Sequence, residues 1–375
     1  MIHNKARAYI RNEAGSVIIT FAISIAALFC FAVVAIDGAI LMTTKNQLQC
    51  AADAAALAGA SAYNQGDDEV RRRAAYYAEN NFATQDTLRA CIIDPDVDVV
   101  INRDANDPWV QVTTHRTQAT GDPLRTYFLK ILDVAAGAAP SRPNRVDVSA
   151  RAKANLVDNC GARCIKPWAI PDRWEELSSP PNTTFDPGVD FYDPLVTGYK
   201  APGDVGLQIT LKQGQPQDAT APGQYNPIDL PPINKGNPIS GADQYREWIA
   251  TCCPFLIAPG DTCVTETGNM VGPTNQGVDE LIAQDPLAYW DGTKVVSDLG
   301  MSPRIVLVPF YDPAYQPGSG KTEVIISKIG AFFIEDRLPG QGSRIVGRFI
   351  QVAAPGVACA NNTGNSFIVG LHLIE

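Results

Sequence analysis

Residues 14–36 read AGSVIITFAISIAALFCFAVVAI, 23 positions without a charged side chain. A hydrocarbon core roughly 30 Å thick is crossed by about 20 helical residues at about 1.5 Å each, so this run is long enough to span a bilayer. It carries no amphipathic stripe, and a soluble helix of this sequence would need protein on every side. Lys5, Arg7 and Arg11 precede it, with Glu13 the only nearby acid. By the positive-inside bias the N-terminus stays in the cytoplasm and everything after Asp37 is exported. A cleaved secretory signal also begins with a basic head and an apolar run, but its apolar core is usually about 7–15 residues and ends at a small-x-small site. Here the run is longer and passes without a turn signal into more helix-forming sequence, with no proline before Pro95. We read a retained anchor over 15–36, with Ser16, Phe21, Phe29 and Ile36 in the lipid.

The exported remainder is large enough for one big domain or two ordinary ones: 375 residues in all, 45% apolar and 19% charged. A net charge of −10 argues against nucleic acid or an anionic lipid surface as its partner, because neutralising phosphates requires clustered Lys and Arg. The basic triplet Arg71-Arg72-Arg73 follows Asp67-Asp68-Glu69, an order that self-pairs on a helix. Cys30 lies within the span. Cys50, Cys91, Cys160, Cys164, Cys252, Cys253, Cys263 and Cys359 lie outside it, an even number that reads as up to four disulfides in an oxidising compartment. Zinc is the rival reading, but no paired C-x-x-C knuckle occurs and His3, His115 and His372 are scattered.

Working outward, residues 38–62 keep strong helix formers, so the membrane helix continues as one rod until Asn64-Gln65-Gly66 breaks it. A second helix is predicted over 68–82, with Val70, Ala74, Tyr77 and Asn81 on one stripe. A chain reversal at Gly66 would bring Cys91 near Cys50. A hairpin of residues 97–101 and 109–114, a helix over 124–134 and a strand over 145–157 complete a compact α+β unit. Proline, glycine and aspartate dominate 159–239, where only 205–211 reads as a strand. Short helices are predicted over 243–250 and 276–289, then strands over 304–310, 323–334, 344–352 and 366–374. The fold class is α+β: a cytoplasmic tail 1–14, a transmembrane helix 15–36, a helical hairpin plus α+β domain 37–158, a Pro/Gly-rich irregular region 159–240 and a β-rich lobe 241–375.

Three apparent motifs fail on inspection. Gly318-Ser319-Gly320-Lys321-Thr322 looks like the end of a phosphate-binding loop, but Tyr315 stands where the pattern needs glycine and a strand pattern follows. Asp94, Asp96, Asp98, Asp104 and Asp107 could gather calcium, yet Val99 occupies the glycine slot of an EF-hand loop, and a solvated edge is the plainer reading. A Ser, His and Asp triad would have only His115 or His372 outside the membrane, and no G-x-S-x-G elbow is present. The residues thus supply no catalytic, cofactor-binding or metal set, no evident small-molecule substrate, and no cofactor.

Gly15-Ser16, the apolar run, Asp37-Gly38 and then Leu48-Gln49-Cys50-Ala51-Ala52-Asp53-Ala54-Ala55-Ala56-Leu57-Ala58-Gly59-Ala60 resemble the N-terminal module of the TadE/TadG-like proteins of the tight adherence (Flp) pilus. The resemblance covers about residues 11–62. It implies a single-pass protein of the bacterial inner membrane with its bulk in the periplasm or outside, acting as a minor pilin-like subunit or assembly factor without catalytic activity. Its partners would be pilin-like or pilus-assembly membrane proteins, and the lipid bilayer through 15–36. Pseudopilin members of the wider group carry glutamate at the fifth position after the cleavage-site glycine; here that position is Thr20. The Asp-x-Ser-x-Ser motif of the long von Willebrand-type members is also missing.

Small residues Ala51, Ala55, Ala58 and Gly59 would let another helix approach closely, with Asp53 needing a polar partner there. The alternative is that they pack against this protein's own second helix. At the level of function, the alternative to a pilus-assembly protein is a membrane-tethered extracytoplasmic hydrolase or ligand-binding protein. A pocket holding His372 against a carboxylate and a nucleophile would favour it.

Overall fold

A single helix, α1, runs without a break from Ala14 to Ser61. The computed structural model describes residues 14–81, 93–104, 107–119, 123–126, 145–214, 219–266, 270–315, 317, 320–339, 342–361 and 363–374. The chain divides into two compact units that interleave along the sequence: Met1–Ala56, Arg71–Val100 and Gln111–Ala152 form one, and Leu57–Val70, Ile101–Val110 and Lys153–Glu375 the other.

The rod stops where its sequence loses helix formers. A 3-10 turn, Tyr63–Gln65, leads to Gly66 at φ +94°, a left-handed conformation that glycine adopts without steric cost. Helix α2 follows over Asp67–Asn80. Its buried apolar positions are Val70, Ala74 and Ala78, spaced i, i+4 and i+8; Tyr77, expected on that stripe, is exposed. Small alanines allow close packing where a tyrosine ring would not fit. Asp67 holds Arg103, Glu69 holds Lys294, and Arg71 meets Asp96.

Asp94 caps one helical turn, α3 (Pro95–Asp98), by accepting from the Asp96 N–H, and Pro95 presets its φ. The predicted strand over 97–101 therefore begins later, as β1 (Val99–Asn102), and β2 spans Trp109–Arg116. Leu124–Arg125 is a short strand, β3, paired with β4 (Arg145–Val146). The helix predicted over 124–134 is thus not entered at its start, because cross-strand pairing wins over local pattern; the rest of that span lies outside the described residues. Strand β5, Val148–Ala162, alternates buried and open positions as a half-buried strand does. It is flanked by β2, and β1 lies beyond.

The second unit is built on a closed barrel. Its strands are β6 (Trp168–Pro171), β7 (Gln208–Gln213), β8 (Gln224–Asp229), β12 (Ile305–Tyr311), β13 (Glu323–Leu338) and β14 (Arg344–Phe349). They pair in the order β12-β6-β8-β7-β14-β13, and β13 returns to β12. β9 (Thr262–Thr265) bridges β13 and β8. Two contacts are parallel, β12 with β6 and β7 with β8. Both β6 and β8 fall in the region expected to be irregular. Each is short and carries a proline, Pro171 at the end of β6 and Pro227 opposite Trp168, positions where short ladders tolerate the missing N–H.

Trp168, Tyr225, Phe310, Phe332 and Phe349 fill the core with no exposed surface. Phe349 is the hub, its ring centroid 4.2 Å from Phe332, 4.7 Å from Tyr199 and 5.2 Å from Phe367. A Cβ at Gly330 would overlap the Phe310 ring, so only glycine fits opposite Val308.

Helix α4 (Ala242–Ala250) matches expectation, whereas α5 covers Val271–Ala283 rather than 276–289. Tyr289–Trp290 instead forms β10, paired with β11 (Val295–Val296). Two short strands, β15 (Val352–Ala353) and β16 (Gly356–Ala358), precede β17 (Ile368–Ile374), which pairs with β5 from Lys153 to Asp158.

Candidate functional site

The residues singled out from the sequence fall on α1, and they behave differently along its length. From Val17 to Phe31 the large apolar side chains stand bare: Phe21 is 66% exposed and Phe31 75%. An 18-residue window of the helix meets the hydropathy of a membrane span with none of it buried by the chain. None of the described residues covers this segment, unlike the core helix of a soluble domain. Ser24 donates to the Thr20 carbonyl at 2.9 Å, which satisfies its hydroxyl within the helix.

Beyond Asp37, itself buried, the helix becomes part of a folded unit. Leu48, Ala51, Ala52, Ala55 and Ala56 have no exposed surface. Two bonds tie the motif to the sheet. The Thr114 hydroxyl on β2 donates to the Leu48 carbonyl at 2.8 Å, and Gln49 Nε2 donates to the Arg151 carbonyl on β5 at 3.0 Å. Gln49 also donates to Asp53 Oδ1 at 2.8 Å. Asp53 thus has its polar partner one turn away on the same helix, and Ala51 and Ala55 are closed to a helix of another chain. Ala54, Leu57 and Ala58 are half-buried, and Gly59 is buried.

The end of the rod is clamped within the second unit. Arg103 lies 4.1 Å over the Tyr63 ring, donates to the Tyr63 carbonyl and pairs with Asp67. Tyr63 OH donates to the Asn102 carbonyl, and burial pushes its pKa up.

Of the predicted disulfide cysteines, Cys160 bonds Cys359 and Cys164 bonds Cys252. Cys50, Cys253 and Cys263 are free thiols, Cys50 exposed and the other two buried. Burial pushes the Cys263 thiol up to about 12 and Cys253 upward as well, which keeps both protonated and unreactive at neutral pH. The predicted pairing of Cys50 with Cys91 involves a residue outside the described ones. Among the described residues no group of three or more His, Cys, Asp or Glu gathers as a metal site. The aspartates of 94–107 serve local structure instead: Asp94 caps α3, while Asp98 accepts the Asp94 N–H and lies 3.6 Å from His115.

His372 lines an open cavity of about 350 Å³ with Asn159, Pro355, Gly356, Gly370 and neighbouring aliphatic residues. No carboxylate and no nucleophile is among them. Lys321, the lysine of the apparent phosphate loop, pairs with Asp229 at 2.6 Å and Ser240 at 2.7 Å, and β13 rather than a helix follows it.

A buried charged cluster escaped sequence reasoning. Asp172 accepts from Lys328 at 2.8 Å, Tyr192 OH at 3.0 Å, and the backbone N–H groups of Tyr199 and Arg173 at 2.8 and 2.9 Å. Its partners lie up to 156 residues away, so no spacing in the sequence betrays it. With four donors the carboxylate is saturated, and Gly198 is what leaves room for the pair.

Residues 15–62 match the Tad family model, described as TadE/G-like Flp pilus assembly. No curated protein and no solved structure matches the chain.

Proposed function

We propose that this protein is a membrane-anchored, extracytoplasmic structural or assembly protein of a bacterial tight adherence pilus, minor pilin-like in its use of the N-terminal helix. Residues 15–36 cross the inner membrane, the N-terminus is cytoplasmic, and everything after Asp37 is exported. One observation carries this reading: a 48-residue helix, about 72 Å long and matched by the family model over nearly its whole course, leaves its apolar half bare and builds its alanine-rich half into a folded unit. The bare half calls for a lipid or helical environment that the described residues do not supply. The match over 15–62 implies a Flp pilus-assembly role. The two disulfides agree with an oxidising compartment. The His372 cavity lends no support to the hydrolase alternative, since its lining offers neither acid nor nucleophile.

Because Ala51 and Ala55 are buried within the chain, partner contacts fall to residues that remain open, such as Met42, which is 72% exposed. A photo-crosslinker at Met42 in native membranes is expected to capture pilin-like or pilus-assembly membrane proteins, identified by mass spectrometry. The same probe at Ala55 is expected to yield only self-contacts. Recovery of self-contacts alone from Met42, or a mature chain that resists neither carbonate nor high-salt extraction, would defeat the assignment.

A further inference from the structure

The pair of Asp172 and Lys328 lies outside the family-matched residues, and its surroundings supply more than an ion pair needs. β12 runs between the two strands that carry it. Phe310 pairs with Ile170 of β6 on one side and with Lys328 of β13 on the other, and Asp172 directly follows β6, its N–H donating to the Tyr311 carbonyl at 3.0 Å. The Asp172 side chain has no exposed surface, and that of Lys328 is 19% exposed. Burial pushes the carboxyl pKa up and the ammonium pKa down. Both directions favour moving one proton from Lys328 to Asp172, which leaves a neutral acid beside a neutral amine.

The hydrogen bonds around the pair suit the reaction of an amine with an acid. Lys328 Nζ donates to the carbonyls of Pro194 at 2.9 Å and Tyr199 at 2.6 Å. Those two acceptors take both N–H groups of an amine, so its lone pair falls on the third side, where Asp172 Oδ2 stands 2.8 Å away. Asp172 Oδ1 accepts the backbone N–H groups of Tyr199 and Arg173 at 2.8 and 2.9 Å, two fixed donors on the oxygen that gains charge when the carboxyl carbon is attacked. Tyr192 OH donates to Oδ2, the oxygen that has to leave, at 3.0 Å. Burial and the nearby Asp172 push the Tyr192 pKa up, so it holds a proton to give. We propose that Lys328 and Asp172 condense to an intramolecular amide, a covalent cross-link between β13 and the end of β6. The Nζ–Cγ bond forms and the Cγ–Oδ2 bond breaks. Oδ2 leaves as water, with the acid's own proton and a second that Tyr192 donates and recovers from Nζ. No oxidant or co-reactant is required. Two ions buried side by side carry a desolvation cost that their attraction only partly offsets, and the amide removes both charges. The cross-link goes beyond the pilus-assembly reading and does not depend on it, since every group involved lies in the second unit.

The test is peptide mapping by mass spectrometry of the full chain purified from membranes, reduced, alkylated and cleaved with trypsin. Without the cross-link, cleavage after Arg173 and Lys328 releases residues 164–173 and 322–328 as separate peptides. With it, Lys328 resists cleavage, and residues 164–173 emerge joined to 322–337, lighter by one water than the two together. The joined species is expected to predominate in the parent and to be missing from K328R, which keeps the cation but not the amine. In Y192F it is expected to form roughly a hundredfold more slowly, read as the joined fraction at successive times after a pulse of synthesis. Thermal unfolding of Y192F checks that the variant folds. Separate peptides from the parent would overturn the proposal and leave the site an ion pair only. Equal rates of joining in the parent and Y192F would overturn the part assigned to Tyr192.

Discussion

The ammonium of Lys166 is 3% exposed and donates to the carbonyls of Trp248, Ile249 and Thr251, which closes the C-terminal end of α4. Burial holds its pKa down, from 10.5 to about 8. Below about pH 8 both folded and unfolded chains carry the proton, and the cost of burying the charge is fully felt. Between about 8 and 10.5 the folded chain has lost the proton while the unfolded chain keeps it, so this group makes stability rise with pH. Over that window the contribution is on the order of 3 kcal/mol. Chemical unfolding of the parent and Lys166→Met at pH 7 and pH 10 is expected to show the difference between them change by about that amount, in favour of the parent at the higher pH. An unchanged difference would mean that Lys166 does not titrate there. The stretch Cys164-Ile165-Lys166-Pro167-Trp168 draws the eye in the sequence, yet the acceptors of Lys166 lie 82 to 85 residues further on. No local pattern could reveal them. Cys164 adds a second constraint, since it adopts φ +65° while its N–H donates to the Cys253 carbonyl.

Among the elements, α1 was legible because it declares itself by composition alone: an uncharged run long enough for a span, then alanines with a single aspartate. Its burial was not legible, because whether a small-residue face meets another chain or its own sheet depends on partners such as Thr114, 66 residues away. Two substitutions test the docking. Thr114→Val keeps β-branching and removes the bond to Leu48, an expected loss of about 1 kcal/mol. Ala55→Leu inserts a side chain where no surface is free, an expected loss of about 1–3 kcal/mol or more. Urea unfolding in detergent reads both, with Ala58→Leu, at a half-buried position, expected to cost less. The C-terminal strands β12, β13, β14 and β17 were readable from alternation and β-branched content. β6 and β8 were not, since their prolines argue locally against strands and only closure of the barrel makes them pair.

At the scale of the molecule, the α+β class followed from the order of helical and strand patterns, while the closed ring did not. Ring closure joins β6 to β12 in parallel, across more than 130 residues, and sequence spacing carries no trace of such a contact. The cysteine count announced disulfides without choosing among them. Cys160 and Cys359 close a loop with a sequence separation of 199, the larger of the two. Cys160→Ser/Cys359→Ser is expected to lose about 2–5 kcal/mol, and removal of the 88-residue Cys164–Cys252 link somewhat less if chain entropy governs. Denaturant midpoints of the two double variants, compared with the oxidised parent, decide this; equal or inverted losses would indicate that native packing rather than loop length sets the effect. The unbroken course of α1 has a mechanical corollary. No joint separates its bare stretch from Leu48 and Gln49, so a tug or a twist delivered at the greasy end has a continuous drive shaft to the strands those two residues grip.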